Sequence, residues 1–212
     1  IIYINKHQPF PDYSYADEDG LLAVGADLSV DRLLDAYSKG IFPWYNDGQP
    51  VLWWSPDPRM VLKPAEIHIS KTMRKILREK VFRVTYNTCF LDVVLNCKRI
   101  KRDGQDGTWI TNEMLEAYQK LHEIGVAESV EVWQNDALVG GLYGLNLKEK
   151  NIFCGESMFA KVSNASKVAL ITLAQKLQTQ DYNLIDCQVY TEHLERMGAS
   201  EISRSQFLSY LL

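Results

Sequence analysis

Residues 129–159 read as three strands joined by two short turns, and this most narrows what the chain can fold into. Ser129–Gln134, Ala137–Leu147 and Ile152–Phe159 are rich in apolar and β-branched residues; Asn135-Asp136 and Lys148–Asn151 separate them. Connections this short join antiparallel neighbours, so the segment is a meander. Ahead of it the pattern gives a strand, Val81–Tyr86, and two helices. Thr88–Cys97 carries an apolar face of Phe90, Val93, Val94 and Cys97; Asn112–Ile124 is capped at Thr111 and stopped by Gly125. Behind it come a helix from Ala165 to Thr179, N-capped by Ser163 or Asn164, a strand Asn183–Tyr190, and short helical pieces over Glu192–Met197 and Ser205–Leu211. The expected class is α+β.

Residues 1–64 are different in texture. Phe42, Trp44, Tyr45, Trp53 and Trp54 crowd together, broken by Pro43, Asn46-Asp47-Gly48 and Pro50, and are followed by Ser55-Pro56-Asp57-Pro58-Arg59. Proline fixes the backbone and interrupts ladders, so short strands and ordered turns are expected there, with one helix from Ser29 to Lys39 ended by Gly40. The division predicted is a small Pro/Trp-rich α+β domain over 1–64, a basic connecting helix over 65–80, and a larger catalytic domain over 81–212.

Composition excludes several classes. The chain has 212 residues, 46% hydrophobic and 24% charged, enough for a core without disulfide staples. Cys89, Cys97, Cys154 and Cys187 form no CxxC pair and lie in apolar stretches, as buried reduced thiols do. No signal peptide or membrane-length apolar run is visible, so a cytoplasmic protein is expected. His7, His68, His122 and His193 are scattered, and no metal-ligand spacing, Walker motif or GxSxG elbow is present. The chain begins without Met, so further residues are expected ahead of Ile1. Net charge is −4, yet Lys71, Arg74, Lys75, Arg78, Lys80 and Arg83 stand against Glu79 alone. Charge by itself favours a solvated helix face here; a directed anionic partner is the alternative.

The strand over 183–190 carries the most chemistry. Alternation places Leu184, Asp186, Gln188 and Tyr190 on one face, with Ile185, Cys187 and Val189 on the other. An acid in an apolar strand needs a partner. The spacing fits a catalytic pair and a structurally satisfied Asp equally well. Glu156, beside Gly155 in the strand 152–159, has the same two readings: with Asp186 and Gln188 it makes either a cleft constellation or a buried hydrogen-bond network. The turn before the helix at Ala165 lacks the glycines that cradle a pyrophosphate, which argues against a coenzyme A site.

The order strand, two helices, meander, helix, strand resembles the acetyltransferase-type (GNAT) fold. Six blocks make a narrower resemblance: Gly40-Ile41-Phe42-Pro43-Trp44, Trp53–Arg59, Gly107-Thr108-Trp109-Ile110-Thr111, Gly155-Glu156-Ser157-Met158-Phe159, Asn164-Ala165-Ser166-Lys167 and Leu184-Ile185-Asp186-Cys187-Gln188. In this order they resemble the bacterial leucyl/phenylalanyl-tRNA–protein transferases over nearly the whole chain. The resemblance implies a GNAT-like C-terminal domain, a small N-terminal domain that helps build the site, and a family segment continuing past Leu212. It implies transfer of Leu or Phe, and Met less well, from aminoacyl-tRNA to proteins with N-terminal Arg or Lys, making an N-degron. No cofactor and no metal are expected, because the ester is already activated; a monomer is expected. By motif, Asp186, Gln188 and Glu156 are the expected catalytic group. Trp44 and Trp109 would border the aminoacyl-adenosine, and Leu142, Leu170, Leu173, Leu177 and Ile185 the donor side chain. Lys71, Arg74, Lys75, Arg78, Lys80 and Arg83 would meet tRNA. A peptidoglycan aminoacyltransferase of the same fold, or a binding module that performs no transfer, are the alternatives.

Overall fold

The computed structural model describes residues 1–100 and 110–212. The aromatic N-terminal region forms a small sheet from β1 (Tyr3–Ile4), β2 (Leu21–Gly25), β3 (Phe42–Pro43) and β4 (Leu52–Trp54), in the order β1-β2-β4-β3. Helix α1 (Val30–Ser38) lies between β2 and β3, with Ser29 at its N-cap and Gly40 beyond its end in the left-handed region at φ 68°. Glycine takes that conformation without the steric cost of a Cβ, and so stops the helix.

Strand β5 (Arg59–Leu62) lies inside the segment expected to form the small domain, yet it pairs into the larger sheet. There follow α2 (Lys71–Arg78), β6 (Arg83–Tyr86), α3 (Phe90–Arg99), α4 (Asn112–Glu123), β7 (Ala127–Gln134), β8 (Ala137–Leu147), β9 (Ile152–Ala160), α5 (Ala165–Gln178), β10 (Leu184–Gln188), α6 (Glu192–Arg196), β11 (Ser200–Ile202) and α7 (Arg204–Ser209). The larger sheet runs β11-β5-β10-β9-β8-β7-β6. β6 to β9 are antiparallel neighbours, β9 and β10 are parallel, and β5 lies antiparallel to β10 and β11.

The meander forms where its pattern placed it. Asn135 and Asp136 both take positive φ, 48° and 60°, the conformation a two-residue hairpin of matching twist needs. β6 starts two residues later than expected because Lys80 turns left-handed at φ 50° and Val81 still donates to the Ile76 carbonyl, closing α2. β11 was not read as a strand; it is a short edge held by β5.

Apolar side chains fill both faces of the large sheet. On one side Phe90, Val93, Met114 and Tyr118 of α3 and α4 share a core with Leu22, Leu33 and Trp53 of the small unit. On the other, Val168, Leu170 and Leu173 of α5 pack with Met73 of α2 and with Leu142, Phe153 and Ile185 from the strands. Each aliphatic side chain buried this way contributes about 1.5–3 kcal/mol. Gly140 sets how closely α5 meets β8, since a Cβ there would lie 2.5 Å from that of Ala165.

Candidate active site

The site arises where two parallel strands part. β10 pairs with β9 through Leu184, Ile185 and Asp186, opposite Ile152, Phe153 and Cys154, and the ladder ends there. At that level both strands carry an extra residue. In β9, Tyr143 faces Ser157 and Gly144 faces Gly155, which leaves Glu156 between them. In β10, Asp186 faces Val61 and Gln188 faces Met60, which leaves Cys187 over. A bulge bends its strand and re-aims the side chains beyond it. Gln188 takes φ 66°, a left-handed conformation that costs a non-glycine residue about 1–2 kcal/mol. The strict alternation expected along 183–190 therefore fails after Asp186, and Asp186 and Gln188 do not occupy equivalent positions on one face.

A cavity of about 370 Å³ opens between the parted strands. Leu142, Phe153, Met158, Leu170, Leu173 and Ile185 form its apolar wall, while Glu156, Gln188, Thr191 and His193 supply polar groups. Trp44, 37% exposed, borders it from the small unit. Gly155 also lines it. A Cβ there would meet its nearest atom, the Asp186 carbonyl oxygen, at an ordinary 3.6 Å, so the glycine leaves free space instead of relieving a clash. Of the residues expected around the donor side chain, Leu142, Leu170, Leu173 and Ile185 line the cavity. Leu177 does not; one turn beyond Leu173, it is buried in the core. Trp109 lies outside the described residues.

Glu156 is the most heavily engaged group in the cavity. One carboxylate oxygen accepts from the Tyr37 hydroxyl at 2.7 Å and from Gln188 Nε2 at 3.0 Å; the other accepts from the Tyr118 hydroxyl at 2.9 Å. Burial pushes its pKa up to about 7, helped by the charge of Asp186 and opposed by the three hydrogen bonds. A carboxyl group at that value can hold or release a proton at neutral pH, as a general base must. Sequence reasoning missed Tyr37 and Tyr118, which sit on the apolar stripes of α1 and α4. The available signal was that a tyrosine on a buried stripe needs a partner for its hydroxyl.

Asp186 is placed differently from Glu156. It is fully buried and does not line the cavity. Arg59 donates to both its oxygens, Nε at 2.8 Å and Nη2 at 2.6 Å, and donates Nη1 to the Gly40 carbonyl at 3.1 Å. The guanidinium lies over Phe42 and Phe207, 4.8 and 4.5 Å from the ring centroids. Asp186 Oδ1 also accepts from the Gln188 backbone amide at 3.0 Å. Asp186 thus holds the backbone of Gln188 in its left-handed conformation. Arg59 was visible in the Trp53–Arg59 block, but its pairing was not foreseen.

Cys187 and Cys154 offer no nucleophile. Burial raises the Cys187 and Cys154 pKa well above the ordinary thiol value, so neither is a thiolate at neutral pH. Burial also lowers the pKa of His193, helped by Lys167 and Arg196, which keeps its imidazole neutral. On α2, the turn after it and the start of β6, Lys71, Arg74, Lys75, Arg78, Lys80 and Arg83 are all exposed. Lys75 pairs with Glu79 at 3.9 Å, and Arg83 with Asp136 at 3.6 Å while lying 5.1 Å over Trp133. Met73 anchors α2 in the core that holds Leu170 and Leu173, so the basic face rides on the layer that walls the cavity.

A meander continued by a helix and a parallel strand, with a cleft at the point of divergence, is the acetyltransferase-type arrangement. An apolar slot beside a near-neutral carboxyl group in that cleft suits acyl transfer to an amine. Residues 61–212 match the family model described as leucyl/phenylalanyl-tRNA protein transferase, and residues 26–57 match the model of that family's N-terminal domain. The leucyl/phenylalanyl-tRNA–protein transferase of Christiangramia forsetii is 60% identical over 210 residues, 99% of this chain and 99% of that protein. The Flavobacterium johnsoniae protein of the same name is 59% identical over 99% of this chain and 98% of that one. The Teredinibacter turnerae protein is 56% identical over 90% of this chain and 73% of that one. The chain belongs to the leucyl/phenylalanyl-tRNA–protein transferase family and is an aminoacyltransferase. Among solved structures, L-PGS from Bacillus licheniformis is similar at a TM-score of 0.43 and 12% identity, over 82% of this chain and 57% of that one. No helix among the described residues is long and apolar enough to cross a membrane.

Proposed function

We propose that this chain moves Leu or Phe, and Met less well, from aminoacyl-tRNA to the α-amine of a protein beginning with Arg or Lys, acting as a monomer in the cytoplasm. The observation that carries this reading is the buried Glu156, of pKa about 7, in a cavity walled by Leu142, Phe153, Leu170, Leu173 and Ile185. The attacking α-ammonium has a pKa of about 8 and must lose a proton before it can add to the ester carbonyl. Passing that proton to Glu156 costs about 1 kcal/mol, against about 5 kcal/mol for a carboxylate of ordinary pKa. Glu156 is therefore the proton acceptor, in preference to Asp186, whose oxygens are occupied by Arg59 and the Gln188 amide. Gln188 donates Nε2 to Glu156, which leaves its carbonyl oxygen to accept an N–H of the amine and aim the lone pair. The amine nitrogen bonds to the carbonyl carbon, the ribose oxygen leaves with a proton, and a peptide bond results. Holding both substrates in one cleft supplies much of the acceleration. The decisive test is transfer of labelled Phe from Phe-tRNA to an Arg-initiated protein; binding of both substrates without transfer would leave only a binding module.

The apolar wall sets donor choice. Unbranched Cβ side chains enter the slot, whereas the stiff extra Cβ methyl of Ile or Val meets its mouth. One methyl position discriminates by about 1–3 kcal/mol, so Ile is a poor donor and not an impossible one. Leu173→Ala enlarges the slot and should shift competition between charged tRNAs toward Phe over Leu, in a protein destabilised by about 2–5 kcal/mol. Equal use of Leu and Ile by the wild type would remove donor selection from this wall.

The basic face of α2 and its following turn is the proposed tRNA contact. Changing Arg74, Lys75 and Arg78 together to Glu should weaken tRNA binding and flatten its dependence on log salt by about one slope unit per lost phosphate contact. Transfer from a minimal aminoacyl-adenosine donor should be nearly intact. An unaltered salt slope would return these residues to an ordinary solvated face.

A further inference from the structure

Next to the cavity lies a second recess of about 340 Å³, lined by Asp19, Phe42, Trp44, Trp54, Pro56 and Val189. Phe42, Trp44 and Val189 also line the first cavity, so the two share a wall. The recess combines two chemistries. Trp44 and Trp54 present indole rings 5.9 Å apart at 56°, fixed by Trp54 Nε1 donating to the Trp44 carbonyl at 2.7 Å. Asp19 presents an exposed carboxylate. The turn that carries Asp19 does not use that carboxylate. Asp17 Oδ1 holds the turn, accepting from the Asp19 and Leu21 amides at 3.1 and 2.8 Å. Among the described residues Asp19 forms no ion pair. Indole faces beside an uncompensated carboxylate suit a long aliphatic stem that ends in a positive charge: the rings cover the stem and face the cation, and the carboxylate meets the charge.

We infer that this recess receives the side chain of the acceptor's N-terminal Arg or Lys and that Asp19 reads its charge, while the acceptor's α-amine lies at Glu156 and Gln188 across the shared wall. The inference rests on the transfer reaction proposed above. It adds a specificity residue that takes no part in the chemistry. Asp19 lies on the small unit, so the small unit would select the acceptor while the large sheet carries the donor slot and the base.

The test compares wild type and Asp19→Asn on two acceptors at one concentration of Phe-tRNA. One acceptor begins with Arg; the other begins with citrulline, which keeps the shape of Arg and lacks its charge. In Asp19→Asn, kcat/KM for the Arg acceptor should fall about fivefold, as for a partly solvated ion pair, while the citrulline acceptor is nearly unaffected. Asp19→Lys should reduce the Arg acceptor further, and KM for charged tRNA should not move in either variant. Equal losses on both acceptors, no loss on Arg, or a raised KM for charged tRNA would each overturn the inference; the last would assign the recess to the donor. Wild type that transfers to Arg while Asp19→Asn keeps the same Arg-to-citrulline preference overturns the inference alone. Wild type that fails to transfer to the Arg acceptor overturns the functional reading as well.

Discussion

Arg59→Ala and Asp186→Ala are each expected to destabilise the protein by about 3–5 kcal/mol, because each leaves one charge of a buried pair without its partner. Domains of this kind have about 5–15 kcal/mol in all, so either change brings the chain close to unfolding at growth temperature. The two side chains are each 1% exposed, and their ion pair ties β5 to β10. Arg59 also donates to the Gly40 carbonyl after α1 and lies over Phe42 and Phe207, so its loss removes one tie between the small unit and the sheet. Replacing both partners with apolar residues of similar size, Arg59→Met with Asp186→Leu, should recover much of the stability, since neither leaves a bare charge. It should not recover transfer, because the Gln188 amide would still lack its anchor. Urea unfolding of the four proteins, with single-turnover transfer by those that fold, measures both effects. Single variants within about 1 kcal/mol of wild type would mean that the pair is not closed in solution.

The same region shows how far the sequence reached. The meander was legible because strand alternation and the Asn135-Asp136 turn are local signals, and local signals survive folding. The caps Ser29 and Thr111 and the stops Gly40 and Gly125 were legible for the same reason; Thr111 accepts from the Met114 amide at 3.1 Å as an N-cap should. Asp186, Gln188 and Glu156 stood out as polar residues on apolar strands, but their division of labour did not. It depends on two bulges, and Cys187 in the run 184–189 gives no sign of being the extra residue. It depends as well on partners far away in sequence, Arg59 for Asp186 and Tyr37 with Tyr118 for Glu156. Leu177 was grouped with Leu170 and Leu173 because the three share a helix stripe. The stripe is longer than the cavity, and where one ends within the other is set by the strands beneath. The basic run on α2 was countable from sequence, whereas its place on the layer that walls the cavity required the fold.

Glu156→Gln should gain stability relative to wild type as pH rises from 5 to 8 and should lose most of its transfer rate at neutral pH. The folded-state pKa of Glu156 is raised from 4.5 to about 7, chiefly by burial. Between those values the folded chain holds a proton that the unfolded chain has released, so wild-type stability falls as pH climbs through this window. Ionising Glu156 therefore costs about 3 kcal/mol more in the folded chain than in the unfolded one. Gln carries no such charge. The stability difference between variant and wild type should therefore grow by about 2.5 kcal/mol from pH 5 to pH 8, whatever the change in hydrogen bonding adds at both. The two tyrosines can accommodate the amide: Tyr118 accepts from its NH2 instead of donating to an oxygen, and Tyr37 continues to donate. Transfer follows the opposite course. In wild type, single-turnover rates with both substrates saturating should rise with pH through about 7 as Glu156 becomes able to take the amine's proton. In the variant that limb should move up to the amine's own pKa of about 8, and the rate at neutral pH should drop about 100-fold. Unfolding in urea at the two pH values, beside the rate profile, separates this from a structural role. A purely structural Glu156 would give the stability change without the shifted limb, and an equal stability difference at pH 5 and 8 would show that the carboxyl group is not held near neutrality. The carboxylate that lowers stability above neutral pH is the one proposed to receive the amine's proton, so on that reading the stability penalty and the proton acceptor come from the same burial by Tyr37, Tyr118 and the parted strands.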